Sequence, residues 1–229
     1  MSGRSIIVTG GFGALGRVVA AAFAAQGDKV ARIDFSPSAP DALAGGLDLA
    51  GVDLTDQAAV AQAVARVVVA FGGVDVLINI AGGFTWETLA DGEVASWEEM
   101  FAMNLRSNIN ITKAALPFIS KSAAGRVVSI GAGGAIQAAA GMGAYAASKA
   151  GVHRLTEALA AELTESQVTV NAVLPSIIDT PANRADMPDA DTRQWVAPQA
   201  IADVILFLAS GAARAVSGAL IPVSHGWAA

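Results

Sequence analysis

The sequence predicts an α/β fold, a single doubly wound, Rossmann-type domain with a parallel sheet over residues 1–229. Three observations lead there. Short aliphatic runs alternate along the chain with Ala-rich segments of helical pattern. The first run, Ser5-Ile-Ile-Val-Thr9, leads directly into Gly10-Gly-Phe-Gly-Ala-Leu-Gly16 and then an amphipathic helix to about Gln26. Hydrophobic residues make up 54% and charged residues 15%, a bias expected when a sheet is buried on both faces and some helices are covered by a second copy of the chain.

Composition also excludes function classes. A net charge of -6, from 14 Lys and Arg against 20 Asp and Glu, with no basic tract, excludes a nucleic-acid surface. With no cysteine the chain has neither disulfides nor thiolate metal ligands, and no metal site is expected. No apolar run is long enough to span a bilayer, and the opening residues lack a charged region followed by an apolar core. The expectation is a cytoplasmic homodimer or homotetramer that acts on a small molecule, without membrane or nucleic-acid partners.

Element by element, the first strand and turn set up a phosphate site. Glycines at 10, 13 and 16 allow a tight turn, a close approach of backbone amides to a pyrophosphate, and close packing of helix on strand; Phe12 and Leu15 lie between them. The next strand, Lys29 to Asp34, ends in an acid eighteen positions past Gly16, where a carboxylate binds the adenosine ribose hydroxyls. Asp34 therefore favours NAD(H) over NADP(H), because a 2′-phosphate would meet a like charge there and Phe35-Ser36-Pro37 offers no Lys or Arg. The same acid could instead cap a turn. Leu47 to Leu54 is read as a third strand that brings Asp53 and Leu54 beside the adenine, with an N-cap as the other use of Asp53. A helix from about Gln57 to Phe71 follows, then a strand from Val74 to Asn79 opening into Ile80-Ala81-Gly82-Gly83, a small-residue loop that can lie against the cofactor.

The second half carries the reactive groups. After a loop bearing Phe84 and Trp86 come a helix with Asn104 and a strand, Gly125 to Ile130, that runs into Gly131-Ala132. The only tyrosine, Tyr145, precedes Lys149 by four residues on one helix face. An ammonium one turn away and the positive end of a helix are expected to favour the phenolate of Tyr145. Alone, such a pair is equally an ordinary packed and solvated helix face. The helix runs to about Thr164, and the strand Val168 to Pro175 follows. Residues 181–198, proline-punctuated and polar, suit a lid over the substrate, and a helix from about Pro198 and a strand, Ala219 to Val223, close the chain. Phe84, Trp86, Ala132, Gln137 and Trp195 are the candidate substrate contacts.

Thr9-Gly10-x-x-Gly13-x-x-Gly16, Asp34, Asp53-Leu54, Asn79-Ile-Ala81-Gly82, Asn104, Tyr145-x-x-x-Lys149, Asn171 and Pro175-Ser-Ile-Ile-Asp-Thr180, in this order, resemble the short-chain dehydrogenase/reductase family over nearly the whole chain. The resemblance implies that Tyr145 transfers the proton. It implies that Lys149 holds the nicotinamide ribose and that Asn104 steadies a water leading from Lys149. Pro175, Ile178 and Thr180 would hold the carboxamide side of the nicotinamide. Three departures stand out: the family's catalytic serine, thirteen residues before the tyrosine, is Ala132 here, Ile80 replaces a second asparagine, and Ala14 replaces a common glycine. The departures, with Gly141-Met142 and Asp179-Thr-Pro-x-Asn183-Arg184-x-x-Met187-Pro188-x-Ala190-Asp191-x-x-x-Trp195, resemble the quinonoid dihydropteridine reductase branch, which lacks the serine and prefers NADH. The alternatives are a carbonyl or alcohol oxidoreductase, such as a 3-oxoacyl thioester reductase, and a nucleotide-binding regulator without turnover.

Overall fold

The computed structural model describes residues 3–224. Seven strands form one parallel sheet: β1 Ser5–Thr9, β2 Lys29–Ile33, β3 Leu47–Leu49, β4 Val76–Asn79, β5 Arg126–Ile130, β6 Thr169–Pro175 and β7 Leu220–Val223. Their order is β3-β2-β1-β4-β5-β6-β7. The chain thus winds outward from β1 in one direction, then crosses to β4 and winds the other way. The switch between β1 and β4 leaves a crevice at the carboxyl edge of the sheet, the place where such folds take ligands.

Helices cover both faces, which is why the strands read as continuous aliphatic runs. On one face α1 (Ala14–Ala25) and α7 (Pro198–Leu208) bury Val19, Phe23, Ile201 and Ile205 against Ile6, Val8 and Val128. The other face holds α2 (Gln57–Phe71), α4 (Ser107–Ile119) and α5 (Gly143–Glu162), whose Val60, Val64, Ile111, Ile119 and Leu159 pack on Ile7, Leu77 and Val127. α3 (Val94–Met100) runs into α4 through one wider π turn, Phe101–Arg106, so the predicted helix around Asn104 is continuous but locally unwound at that residue. Among the described residues no helix is long and apolar enough to cross a membrane.

Two expectations need correction. β3 stops at Leu49, because Gly51 takes a φ of 67°, a left-handed conformation that ends a strand. Asp53 then closes a turn on Thr55, its Oδ1 accepting from the backbone N–H at 2.8 Å and the hydroxyl at 2.7 Å. The cap of α2 is Asp56, which accepts from the amides of Ala58 at 2.8 Å and Ala59 at 3.3 Å. Within residues 181–198, α6 (Pro181–Asp186) is capped by Thr180, and Val196 is fully buried in a bridge to Ile178. Trp195 is 4% exposed, so its ring belongs to the interior.

Asp56→Ala should destabilise the fold by about 1 kcal/mol through loss of this cap. Urea unfolding should show a lower midpoint at unchanged slope, and an unchanged midpoint would mean that solvent satisfies the α2 amides equally well.

Candidate active site

A cavity of about 860 Å³ occupies the crevice at the switch point. Gly10, Phe12, Gly13, Leu15 and Gly16 form its floor, and Asp34, Phe35, Asp53 and Leu54 close one end. Ala81, Gly82 and Thr180 line it farther along. The glycines are required by geometry: Gly10 has a φ of 62°, and a Cβ there would lie 2.9 Å from the Ala81 nitrogen across the switch point. A Cβ on Gly16 would drive into the Gly10 carbonyl.

The amino end of α1 has no side-chain cap and no acid in its first turn. Its N–H groups therefore need an outside acceptor, and the positive end of a twelve-residue helix suits an anion. Asp34 is held rigidly, Oδ2 accepting from the Phe12 amide at 2.9 Å and Oδ1 from Ser36 at 3.0 Å. Each carboxylate oxygen keeps a lone pair for a further donor such as a ribose hydroxyl. Beneath it, buried Arg32 is ion-paired to Asp48 and Asp41, each at 2.7 Å, and lies 5.3 Å over the Phe12 ring. Its charge is thus consumed within the protein rather than offered to a 2′-phosphate. The uncapped amides and the fixed carboxylate together fit a dinucleotide.

Beyond Gly82 the wall is made by α5 and the π turn. Lys149 is 5% exposed and donates to the Ile130 carbonyl at 2.8 Å; burial lowers its pKa to about 8. Burial raises the pKa of Tyr145, opposite to the direction expected from the nearby ammonium, because desolvation disfavours the charged phenolate. Asn104, 1% exposed, accepts from the Gly83 amide at 2.9 Å and donates to the Gly83 carbonyl at 3.1 Å and the Ser148 hydroxyl at 3.0 Å. It thereby clips the loop after β4 to α5. The Phe84 ring meets Tyr145 edge-on, centroids 4.9 Å apart and planes at 82°. Trp86 donates from Nε1 to the Ala140 carbonyl at 3.1 Å and packs on Gly141.

The matching family model is the short chain dehydrogenase, over residues 4–191. The chain belongs to this family. It is 28% identical to D-beta-hydroxybutyrate dehydrogenase of Rhizobium meliloti, covering 99% of each chain. It is 30% identical to 2,5-dichloro-2,5-cyclohexadiene-1,4-diol dehydrogenase of Sphingobium indicum (99% of this chain, 97% of the relative). Identity is also 30% with 3-oxoacyl-(acyl-carrier-protein) reductase of Escherichia coli (98% and 97%). The crystal structure of levodione reductase superposes with a TM-score of 0.87 at 26% identity, covering 96% of both chains.

Within this short-chain dehydrogenase, the remaining sequence-derived residues fall in different places. Asn79 lies under the cavity floor, donating to Asn108, Thr112 and Ser129, so its contact is with the scaffold. Pro175 ends β6 at the same carboxyl edge, and Ile178 packs on the core while its carbonyl accepts from Asn183 at 2.8 Å. Ala132 is buried, Gln137 is exposed, and buried Trp195 is turned away from solvent. Ser129 donates no bond toward Tyr145, since its hydroxyl faces Asn79 and Asn108. The sequence reading missed Ser148, which donates to the Tyr145 carbonyl at 2.8 Å, although its position one turn along the same helix marks it. It also missed Glu99, Ala102, Met103 and Ser107 on the cavity wall, which no motif marks.

Charged Lys149 is penalised by burial, fully below its folded pKa of about 8 and decreasingly as pH rises toward its unfolded value. Without nucleotide, the stability of the protein should therefore rise relative to Lys149→Met between about pH 7 and pH 9.5, by an amount on the order of 2 kcal/mol. Urea midpoints of both proteins at the two pH values check this, and parallel midpoints would mean that Lys149 is solvated.

Proposed function

We propose that this chain is an NAD(H)-dependent reductase of a flat conjugated ring, of which a quinonoid dihydropterin is the model, with Tyr145 as proton donor. The observation that supports the substrate class is Ala132. A carbonyl becoming an alcohol develops charge on oxygen, and a hydroxyl beside the tyrosine would stabilise it. Here Ala132 offers none, the Ser129 hydroxyl is occupied by Asn79 and Asn108, and Ser148 is engaged with Asn104 and the Tyr145 carbonyl. A conjugated imine system spreads the incoming electron pair over the ring and needs one proton rather than an oxyanion site. The half-buried phenol of Tyr145, its pKa raised by desolvation, is protonated at neutral pH and can give that proton. Phe84, edge-on to Tyr145, with Trp86 beyond it, supplies aromatic walls for a planar substrate.

The dinucleotide would supply the hydride. Asp34 would take its adenosine ribose hydroxyls, the α1 amides its pyrophosphate and Lys149 its nicotinamide ribose. Carbonyl or alcohol chemistry is the second reading, favoured by the names of the relatives, which include a hydroxybutyrate dehydrogenase and a 3-oxoacyl reductase. Turnover with no substrate of either class would leave a nucleotide-binding regulator. An oligomer fits the exposed apolar side chains of Val94, Trp97, Phe101 and Ile109 along α3 and α4.

NADH should bind at least tenfold more tightly than NADPH, about 1.4 kcal/mol, and Asp34→Ala should narrow the gap. Equal affinities in titration calorimetry would sink the cofactor assignment.

Ala132→Ser should leave reduction of a conjugated ring flat or lower, while raising reduction of a carbonyl by as much as ~10²-fold. Tyr145→Phe should depress both. If Ala132→Ser instead raises ring reduction, the substrate-class reading fails.

A further inference from the structure

At the opposite edge of the sheet, where the strands begin, β5 and β6 open with Arg126 and Thr169, which stand side by side in the pairing register. Both side chains are more than nine-tenths buried, at 4% and 6% exposure. Arg126 donates through Nη1 to the carbonyls of Gly125 at 2.7 Å and Gln167 at 3.2 Å. Its Nε and the Thr169 hydroxyl have no hydrogen-bond partner among the described residues.

No carboxylate among the described residues pairs with Arg126. The charge that bears on it is another cation, Arg4, which is itself paired with Asp28 at 2.7 Å; this repulsion adds to burial in lowering the Arg126 pKa. A buried, uncompensated guanidinium is among the most costly arrangements a fold can hold, and a neighbouring orphan hydroxyl adds to the cost. Arg32, by contrast, has two carboxylates. The same sheet therefore neutralises one buried arginine internally, while the other has no counter-charge among the described residues.

Arg126 and Thr169 line a groove of about 760 Å³ between the end of α5 and the 211–218 segment. Ala123, Ala160, Leu163 and Ala215 give it apolar walls. Its other charged residues are exposed Arg214 and half-buried Glu157, and Glu157 is paired with Arg154 at 2.9 Å. We propose that this groove binds a small organic monocarboxylate, its carboxylate on Arg126 and Thr169 and its apolar tail along the alanine-rich wall. A guanidinium on the groove wall with no counter-charge among the described residues suits a carboxylate, and the hydroxyl beside it adds a further donor. The site lies across the sheet from the cavity that takes the dinucleotide, so it is separate from turnover chemistry and independent of the substrate assigned above.

Sodium butyrate is the probe, compared with sodium chloride at equal ionic strength. Saturating butyrate should raise the melting temperature by about 5 °C. It should also shift the Arg126 Nε–Hε resonance, identified by its absence from Arg126→Lys. The rise should vanish in Arg126→Met and shrink in Thr169→Val, a near-isosteric change that preserves the fold if the arginine variant does not. NADH affinity should be unchanged in both. A butyrate effect that survives both substitutions, or no shift of the arginine resonance at any concentration, overturns the proposal. So does an arginine resonance that moves with protein concentration and not with butyrate, which would assign the missing carboxylate to a second copy of the chain.

Discussion

The site depends on how closely two strand ends approach at the switch point. β1 turns at Gly10 in a left-handed conformation, and any side chain there would press into the Ala81 backbone at the end of β4. Gly16, one helical turn into the motif, has its α-carbon against the Gly10 carbonyl for the same reason. This contact sets the amino end of α1 over the crevice with its amides uncapped, and makes one continuous wall of the loops after β1 and β4. The fold thus presents, from backbone groups alone, an uncapped helix end of the kind that suits an anion, at the cost of the conformational freedom of its glycines.

The other wall is built by burying ionisable groups and then limiting the damage. Lys149 retains a carbonyl partner with its pKa lowered to about 8, while desolvation raises that of Tyr145 and favours the neutral phenol. Asn104 occupies the π turn, where the widened backbone of a continuous helix brings its amide to the Gly83 backbone and to Ser148. Gly131 fits the same logic. Its Cβ would lie 2.5 Å from Nε2 of His153, which accepts from the Ala132 amide at 3.3 Å, so the glycine and the buried imidazole belong together.

Much of this was legible in the sequence because aliphatic runs and glycine spacing are read directly by the backbone. The strand starts, α2 from Gln57 to Phe71 and the groove position of Asp34 follow from those signals. The short β3 was not legible, because Leu47 to Leu54 has a strand's composition and only the φ of Gly51 ends it. Nor was the direction in which the Tyr145 pKa moves, since spacing places an ammonium nearby but cannot show how far desolvation disfavours the phenolate. Trp195 reads as a lid aromatic, yet the Ile178–Val196 bridge draws it inward. Arg126 is invisible as an orphan until its neighbours on β6 are known.

The central claim is that a site without a hydroxyl at position 132 reduces a conjugated ring better than a carbonyl. Its most direct test is NADH oxidation by the unmodified protein with freshly generated quinonoid dihydropterin and, in parallel, with a 3-oxoacyl thioester. The expected result is a kcat/KM at least ~10²-fold higher for the ring, the scale of one missing oxyanion donor. Turnover of the thioester with none of the dihydropterin would contradict it.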